Sequence, residues 1–206
     1  MGLLDEKTLR SAVKSLIERD SDLAAVVARH GAPPLWARPP GFSTLTRIIL
    51  EQQVSLSSAR AAYDRLTERI GEPVPEAFLT LSDVELKRIG FSRQKSHYVR
   101  LLSERVLDGS FRFDELKGLG DDAARLRLTD LKGVGRWSAD IYLLMALRRP
   151  DVWPRGDLAL TSAVTRIKKL ARIPSPEEFD EIGELWRPWR SVAARIAWFE
   201  YLDGVP

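Results

Sequence analysis

Apolar residues recur along this chain every three to four positions and almost nowhere in alternation. That is the spacing of one face of an α-helix, not of a strand. Within residues 5–30, Leu9, Ala12, Val13, Leu16 and Ile17 share one side of one or two helices. Residues 31–41 hold Pro33, Pro34, Pro39 and Pro40 and read as a loop or linker. Leu45, Ile48 and Ile49 predict an amphipathic helix over 42–53. A turn follows at Val54 and Ser55, then a helix capped by Ser55 or Ser57 that runs to about Ile70. Residues 75–80 and 82–89 read as short helices, the second opening on Ser82 and Glu85 at the spacing of a capping box. Longer runs cover 92–107, 122–131, 137–147, 158–171, 176–185 and 188–202. With no strand pattern and no internal repeat, the expected class is all-α. Because the first helices precede the proline-rich linker, they are expected to join the C-terminal helices in one lobe and leave the middle as another.

The run at 122–131 ends on Leu131-Lys132-Gly133-Val134-Gly135, and a strongly apolar helix begins just after it. Glycines turn tightly at little steric cost. The amides of Gly133, Val134 and Gly135 would then lie at a helix N-terminus, where unpaired N–H groups and the macrodipole favour an anion such as phosphate. A bare Gly-Val-Gly is equally an ordinary helix–helix turn. Downstream, Asp157 follows Pro154-Arg155-Gly156 and precedes a helix. It reads as an N-cap, and also as a lone carboxylate available for chemistry; the two roles are compatible. Gln53, at the turn between two helices, reads by itself as a solvated polar residue.

Composition narrows the classes. The chain has 206 residues, 44% hydrophobic and 30% charged, as in ordinary globular proteins, and its net charge of +3 leans mildly toward anionic partners. It has no cysteine, which excludes disulfides, thiol nucleophiles and Cys-ligated zinc or iron–sulfur clusters. Two histidines, His30 and His97, argue against a His-rich metal site. No signal-peptide pattern and no run long enough to cross a bilayer is read, so an intracellular location is expected.

Four stretches together resemble the helix-hairpin-helix DNA glycosylase superfamily, in its DNA-3-methyladenine glycosylase II branch. Ile48-Ile49-Leu50-Glu51-Gln52-Gln53-Val54-Ser55 is similar to I-L-G-Q-Q-V-S, and Leu131-Lys132-Gly133-Val134-Gly135-Arg136-Trp137-Ser138-Ala139 to L-P-G-I-G-x-W-T-A. Asp151-Val152-Trp153-Pro154-Arg155-Gly156-Asp157 is similar to D-V-F-P-x-x-D, and Trp186-Arg187-Pro188-Trp189-Arg190-Ser191-Val192-Ala193 to W-x-P-W-R-S-x-A. The resemblance runs from about Leu23 to Gly204. Lys132 stands where the family has proline, Glu51 where it has glycine, and Ile141 where one member has a pocket tyrosine.

The resemblance implies a single glycosylase unit over 1–206, with a central lobe of about 42–157, a second lobe of 1–41 plus 158–206, and a cleft between them. No N-terminal β domain is expected. Asp157 becomes the catalytic carboxylate, stabilising an oxocarbenium-like sugar as the base leaves. Trp137, Trp198 and Ile141 become substrate-binding residues, the tryptophans suited to stacking on a cationic alkylated purine. Gln53 takes the wedge position in the duplex, and Lys132, Gly133, Val134 and Gly135 contact DNA. The partner is duplex DNA with a damaged base, bound by a monomer. No organic cofactor and no iron–sulfur cluster are implied, though a monovalent cation at the backbone of Gly133 and Gly135 fits the family. Trp137 occupies the place of the Schiff-base lysine of bifunctional members, so a monofunctional enzyme is expected. The rival readings are a non-catalytic DNA-damage-binding module, which need not keep Asp157, and a glycosylase/lyase, which needs a lysine at 137.

Overall fold

Polar caps set most of the helix starts. The computed structural model describes residues 2–203, so Gly204, where the family resemblance was read to end, lies outside the described residues. In chain order the helices are α1 (Glu6–Arg19), α2 (Ser21–His30), α3 (Phe42–Glu51), α4 (Leu56–Ile70), α5 (Pro75–Leu79), α6 (Asp83–Ile89) and α7 (Arg93–Leu107). They continue as α8 (Glu115–Gly118), α9 (Asp121–Thr129), α10 (Arg136–Met145), α11 (Leu158–Ile167), α12 (Pro176–Glu184) and α13 (Arg190–Asp203). The all-α expectation holds: the described residues contain no strand. Ser55 caps α4 by accepting from the Ser58 N–H, Ser92 caps α7, and Ser82 with Glu85 forms the capping box read from the sequence. A second box, Ser175 with Glu178, starts α12.

The chain divides into two compact units, Met1–Ala37 with Leu143–Pro206, and Arg38–Tyr142. These boundaries differ from the sequence-based 41/42 and 157/158. Residues 143–157 belong with the first unit because their polar groups and rings are used there. Arg195 donates to the Leu144 carbonyl at 2.9 Å, Ser191 Oγ accepts from the Val152 N–H at 2.9 Å, and Trp153 stacks on Phe179. At the other boundary, Arg38 pairs with Glu51 and the Gly41 N–H reaches the Tyr142 hydroxyl at 2.8 Å. Hydrophobic periodicity carries no information on which unit a helix half joins.

In the first unit α13 packs against α2 and α11, and α1 against α2. Asp20 ties these together. Its backbone N–H ends α1 on the Leu16 carbonyl, and its side chain caps α2 at the N–H groups of Asp22 and Leu23. The same carboxylate receives Lys168 Nζ at 2.9 Å and Trp186 Nε1 at 2.8 Å. Burial alone would raise this carboxyl, but the bonds from Trp186 and Lys168 outweigh it and hold it below its ordinary 3.8. In the second unit α7 is the central element, flanked by α3, α5 and α6 around Phe78, Phe91 and Val99.

Asp20→Ala leaves the buried indole N–H without its acceptor and removes a helix cap. The expected cost in urea unfolding at neutral pH is roughly 2–4 kcal/mol. A depressed carboxyl contributes stability that is complete above its unfolded value and lost as pH falls through its folded one. The gap between wild type and variant should therefore narrow as pH drops below 3.8.

Candidate functional site

The hairpin between α9 and α10 forms where the sequence suggests, but the Val134 N–H, expected unpaired, is used within the turn, and the two glycines answer to different constraints. Gly133 has φ 86°, and a Cβ there would lie 2.1 Å from the Tyr98 ring on α7. The fold itself therefore requires glycine. Gly135 has no positive φ, and a Cβ there would meet nothing within 4 Å. Its carbonyl accepts from the Ala139 N–H at 3.0 Å, which places Gly135 at the mouth of α10. Val134 buries its side chain, and its N–H closes the turn on the Leu131 carbonyl at 3.0 Å. Lys132 is exposed.

Gln53 sits in the turn between α3 and α4, exposed and with φ 55°. A left-handed backbone at a residue with a Cβ costs about 1–2 kcal/mol, so neighbouring contacts must hold it there. Gln53, Gln52, Lys132, Gly133, Val134 and Gly135 line one concavity of about 520 Å³, together with Lys95 and Tyr98. Within this unit the structure thus brings the wedge candidate and the hairpin together. Glu51, the departure next to Gln52, is held by Arg38 at 2.8 and 3.0 Å and by Arg47 at 3.3 Å, with 8% of its side chain exposed. It is an internal ion pair, not a displayed charge.

Trp137, half-buried, and Ile141 belong to α10 in this unit. Ile141 is only 4% exposed, so in this conformation it offers little surface to a ligand. The fully buried Asp140 between them accepts from Arg125 at 2.6 Å, with Arg136 Nε 3.6 Å away.

Asp157 and Trp198 lie in the first unit. Pro154 fixes the approach, Gly156 turns with φ 81°, and Asp157 caps α11. The carboxylate Oδ1 accepts from the Leu160 N–H at 2.7 Å and from Trp198 Nε1 at 3.3 Å. Asp157 is 9% exposed and Trp198 8%, whereas the next residue, Leu158, is 85% exposed. The N-cap reading of Asp157 holds. The indole N–H of Trp198 was not foreseen as a partner of that carboxylate. Two other residues escaped sequence reasoning: Tyr98, which lies under Gly133, and Lys95, which binds the end of α3. Both sit on α7, far from the hairpin in sequence, and no local signal marks them.

Among the described residues no group of three or more His, Cys, Asp or Glu could hold a metal ion, and no helix is long and apolar enough to cross a membrane.

Substitution at the two glycines separates their roles. Gly133→Ala should lose about 2–4 kcal/mol in urea unfolding, from the left-handed backbone and the clash with Tyr98. Gly135→Ala should stay within about 0.5 kcal/mol of wild type. Equal losses at both positions would refute this division.

Comparison with known proteins gives a consistent result. The family model described as "HhH-GPD superfamily base excision DNA repair protein" matches residues 46–188. Bacillus subtilis YfjP is 26% identical over 186 residues, covering 86% of this chain and 65% of that one. This chain therefore spans about two thirds of the length of that relative. Among solved structures, the 3-methyladenine DNA glycosylase Mag1 of Schizosaccharomyces pombe, in complex with abasic DNA, superposes with a TM-score of 0.85 at 26% identity. That match covers 91% of this chain and 95% of Mag1. A DNA-3-methyladenine glycosidase from Bacillus halodurans gives a TM-score of 0.73 at 30% identity, covering 91% and 87%. The match over 46–188, with these likenesses in fold, places the chain in the HhH-GPD superfamily of base excision DNA repair proteins.

Proposed function

We propose that this protein is a monofunctional DNA glycosylase of the 3-methyladenine type, which extrudes an alkylated purine nucleotide from duplex DNA and hydrolyses its base–sugar bond with Asp157. The observation that carries this reading is the Asp157 carboxylate, fixed by the Leu160 and Trp198 donors at the N-terminus of α11. The named glycosylases of the same fold support it.

The chemistry follows from charge. As the bond to the base stretches, positive charge grows on the sugar, and an anchored anion stabilises it without reorganising at that moment. Two donors on Oδ1 hold the carboxylate in one orientation. The same carboxylate orients the attacking water and accepts its proton. A 3-methyladenine or 7-methylguanine base is already cationic and leaves readily, so a strong general acid is not required. Trp137 serves as an aromatic face for that cation. The hairpin of Lys132, Gly133, Val134 and Gly135 holds the DNA backbone, and Gln53 fills the gap in the stack. The backbone of Gly133 and Gly135 would hold a monovalent cation, which would add positive charge beside a phosphate. The protein acts as a monomer inside the cell, without an organic cofactor.

Asp157→Asn should keep its fold, since Asn also caps a helix, and keep duplex binding, but lose base release by about two to three orders of magnitude or more. Single-turnover excision from duplexes carrying 7-methylguanine measures this. Activity within a few-fold of wild type would exclude Asp157 as the catalytic group and favour a binding module.

The product should be an intact abasic site, cleaved only after alkali. Borohydride should trap no covalent adduct, because the indole of Trp137 cannot form an imine. A strong trapped complex would move the protein to the glycosylase/lyase class.

The two tryptophans should separate by lesion. Trp198→Phe keeps a ring but removes the donor to Asp157, and should slow excision about ten-fold for charged and neutral bases alike. Trp137→Ala should slow excision of 7-methylguanine more than that of hypoxanthine, by roughly two- to thirty-fold. Uniform loss in Trp137→Ala would remove the cation-based account of specificity.

A further inference from the structure

The wedge turn and the hairpin are bolted to each other through side chains that have no assigned role. Lys95 Nζ donates to the carbonyls of Leu50 and Gln52, each at 2.7 Å. It thereby caps the C-terminal end of α3, where carbonyls lack partners and a cation is favoured. The Gln52 carbonyl belongs to the peptide that leads into Gln53, so Lys95 fixes the orientation of the plane from which the left-handed Gln53 departs. From the same residue, the Gln52 side chain runs to the hairpin. Its Nε2 donates to the Gly133 carbonyl at 2.8 Å and to Ser138 Oγ at 2.9 Å. Tyr98, three residues on from Lys95 along α7, supports Gly133 from beneath. One face of α7 thus holds both tips, and one glutamine joins them directly.

We propose that Gln52 and Lys95 are positioning residues that lock the wedge turn to the hairpin, so that the grip on the backbone and the probe of the base stack act on one fixed nucleotide step. This rests on the DNA-reading part of the function above and not on base release. Polar strain makes the case. Gln53 holds a backbone conformation that is unfavourable for a residue with a Cβ, and Lys95 gives up hydration to stay among carbonyls, burial pulling its amine below the ordinary range. A turn that only connected α3 to α4 would need neither. The consequence is mechanical: a hairpin anchored on phosphate fixes where Gln53 enters the duplex, and a loosened joint lets the two act independently.

The test uses binding, not catalysis. Two short duplexes of one sequence are titrated by anisotropy, one intact and one carrying a tetrahydrofuran abasic analogue. Wild type should prefer the tetrahydrofuran duplex. Gln52→Leu removes both donors at similar volume. It should cut that preference by about five-fold or more while shifting intact-duplex affinity less than about two-fold, the scale of one or two hydrogen bonds. Lys95→Met should act in the same direction, and it carries the test if Gln52→Leu does not fold. A purely structural role would lower the active fraction and weaken both affinities in parallel, leaving their ratio unchanged. That result, an unchanged ratio in either folded variant, or a wild type without preference overturns the proposal. A wild type that keeps the preference but releases no base would refute the glycosylase reading and leave this one standing.

Discussion

At Asp157 one carboxylate oxygen receives a backbone N–H from its own helix and an indole N–H from α13. The candidate chemistry depends on that double anchor. A carboxylate that must oppose a growing positive charge has to be ionised and immobile before the reaction begins. The start of a helix supplies the immobility, since its unpaired N–H groups want an acceptor. Structure and candidate chemistry therefore ask for the same residue in the same place. The turn of Pro154 and Gly156 delivers Asp157 to that place, and the largely exposed neighbour Leu158 marks how close it lies to solvent despite its own burial.

The second unit divides its demands differently. There the backbone does the candidate work, and side chains hold it in shape. Gly133 is required by Tyr98 and by its own φ, so its identity by itself says nothing about a ligand. Gly135 is under no such internal constraint: a Cβ there would meet nothing, and the residue stands open at the mouth of α10. A motif that reads as one signal, Gly-Val-Gly, is thus a folding constraint at one end and an open, internally unconstrained position at the other.

What was legible in the sequence was mostly local. Ser55, Ser82 with Glu85, and Ser92 announce helix starts because a cap bonds within three residues, and Asp157 as a cap falls in the same class. The four-residue α8 passed unnoticed, being too short to show periodicity. The helix expected over 158–171 stops at Ile167, and the next residue but one, Lys169, turns left-handed. The missing parts of the site are all long-range. Lys95 reaches α3, Gln52 reaches the hairpin, and Trp198 reaches Asp157, each across more than forty positions. Single-sequence periodicity places such residues on helix faces but does not pair the faces. The family resemblance supplied candidates such as Gln53 and Trp198 without saying what would hold them.

Trp198 depends in turn on the way α13 is fixed. Arg195, one turn earlier, is fully buried and makes no ion pair with any described residue. Its guanidinium donates instead to the carbonyls of Leu35, Ser191 and Leu144 at 2.8–2.9 Å. Burial pulls its pKa down to about 10, which still leaves it charged at neutral pH. Burying a cation costs several kcal/mol unless its donors are satisfied, and carbonyl oxygens satisfy them without the second charge an ion pair would bring. The Leu144 carbonyl lies in the last turn of α10, where helical partners run out, so the arginine also completes that helix end. A hydrophobic side chain of the same length would fill the space but remove the donors to the Leu35 and Leu144 carbonyls that tie α13 to its neighbours. Three directed bonds from a planar group permit one register only. In that register the indole of Trp198 reaches the carboxylate of Asp157, so the anchor of the candidate catalytic group extends through α13 to a charge buried one turn behind it.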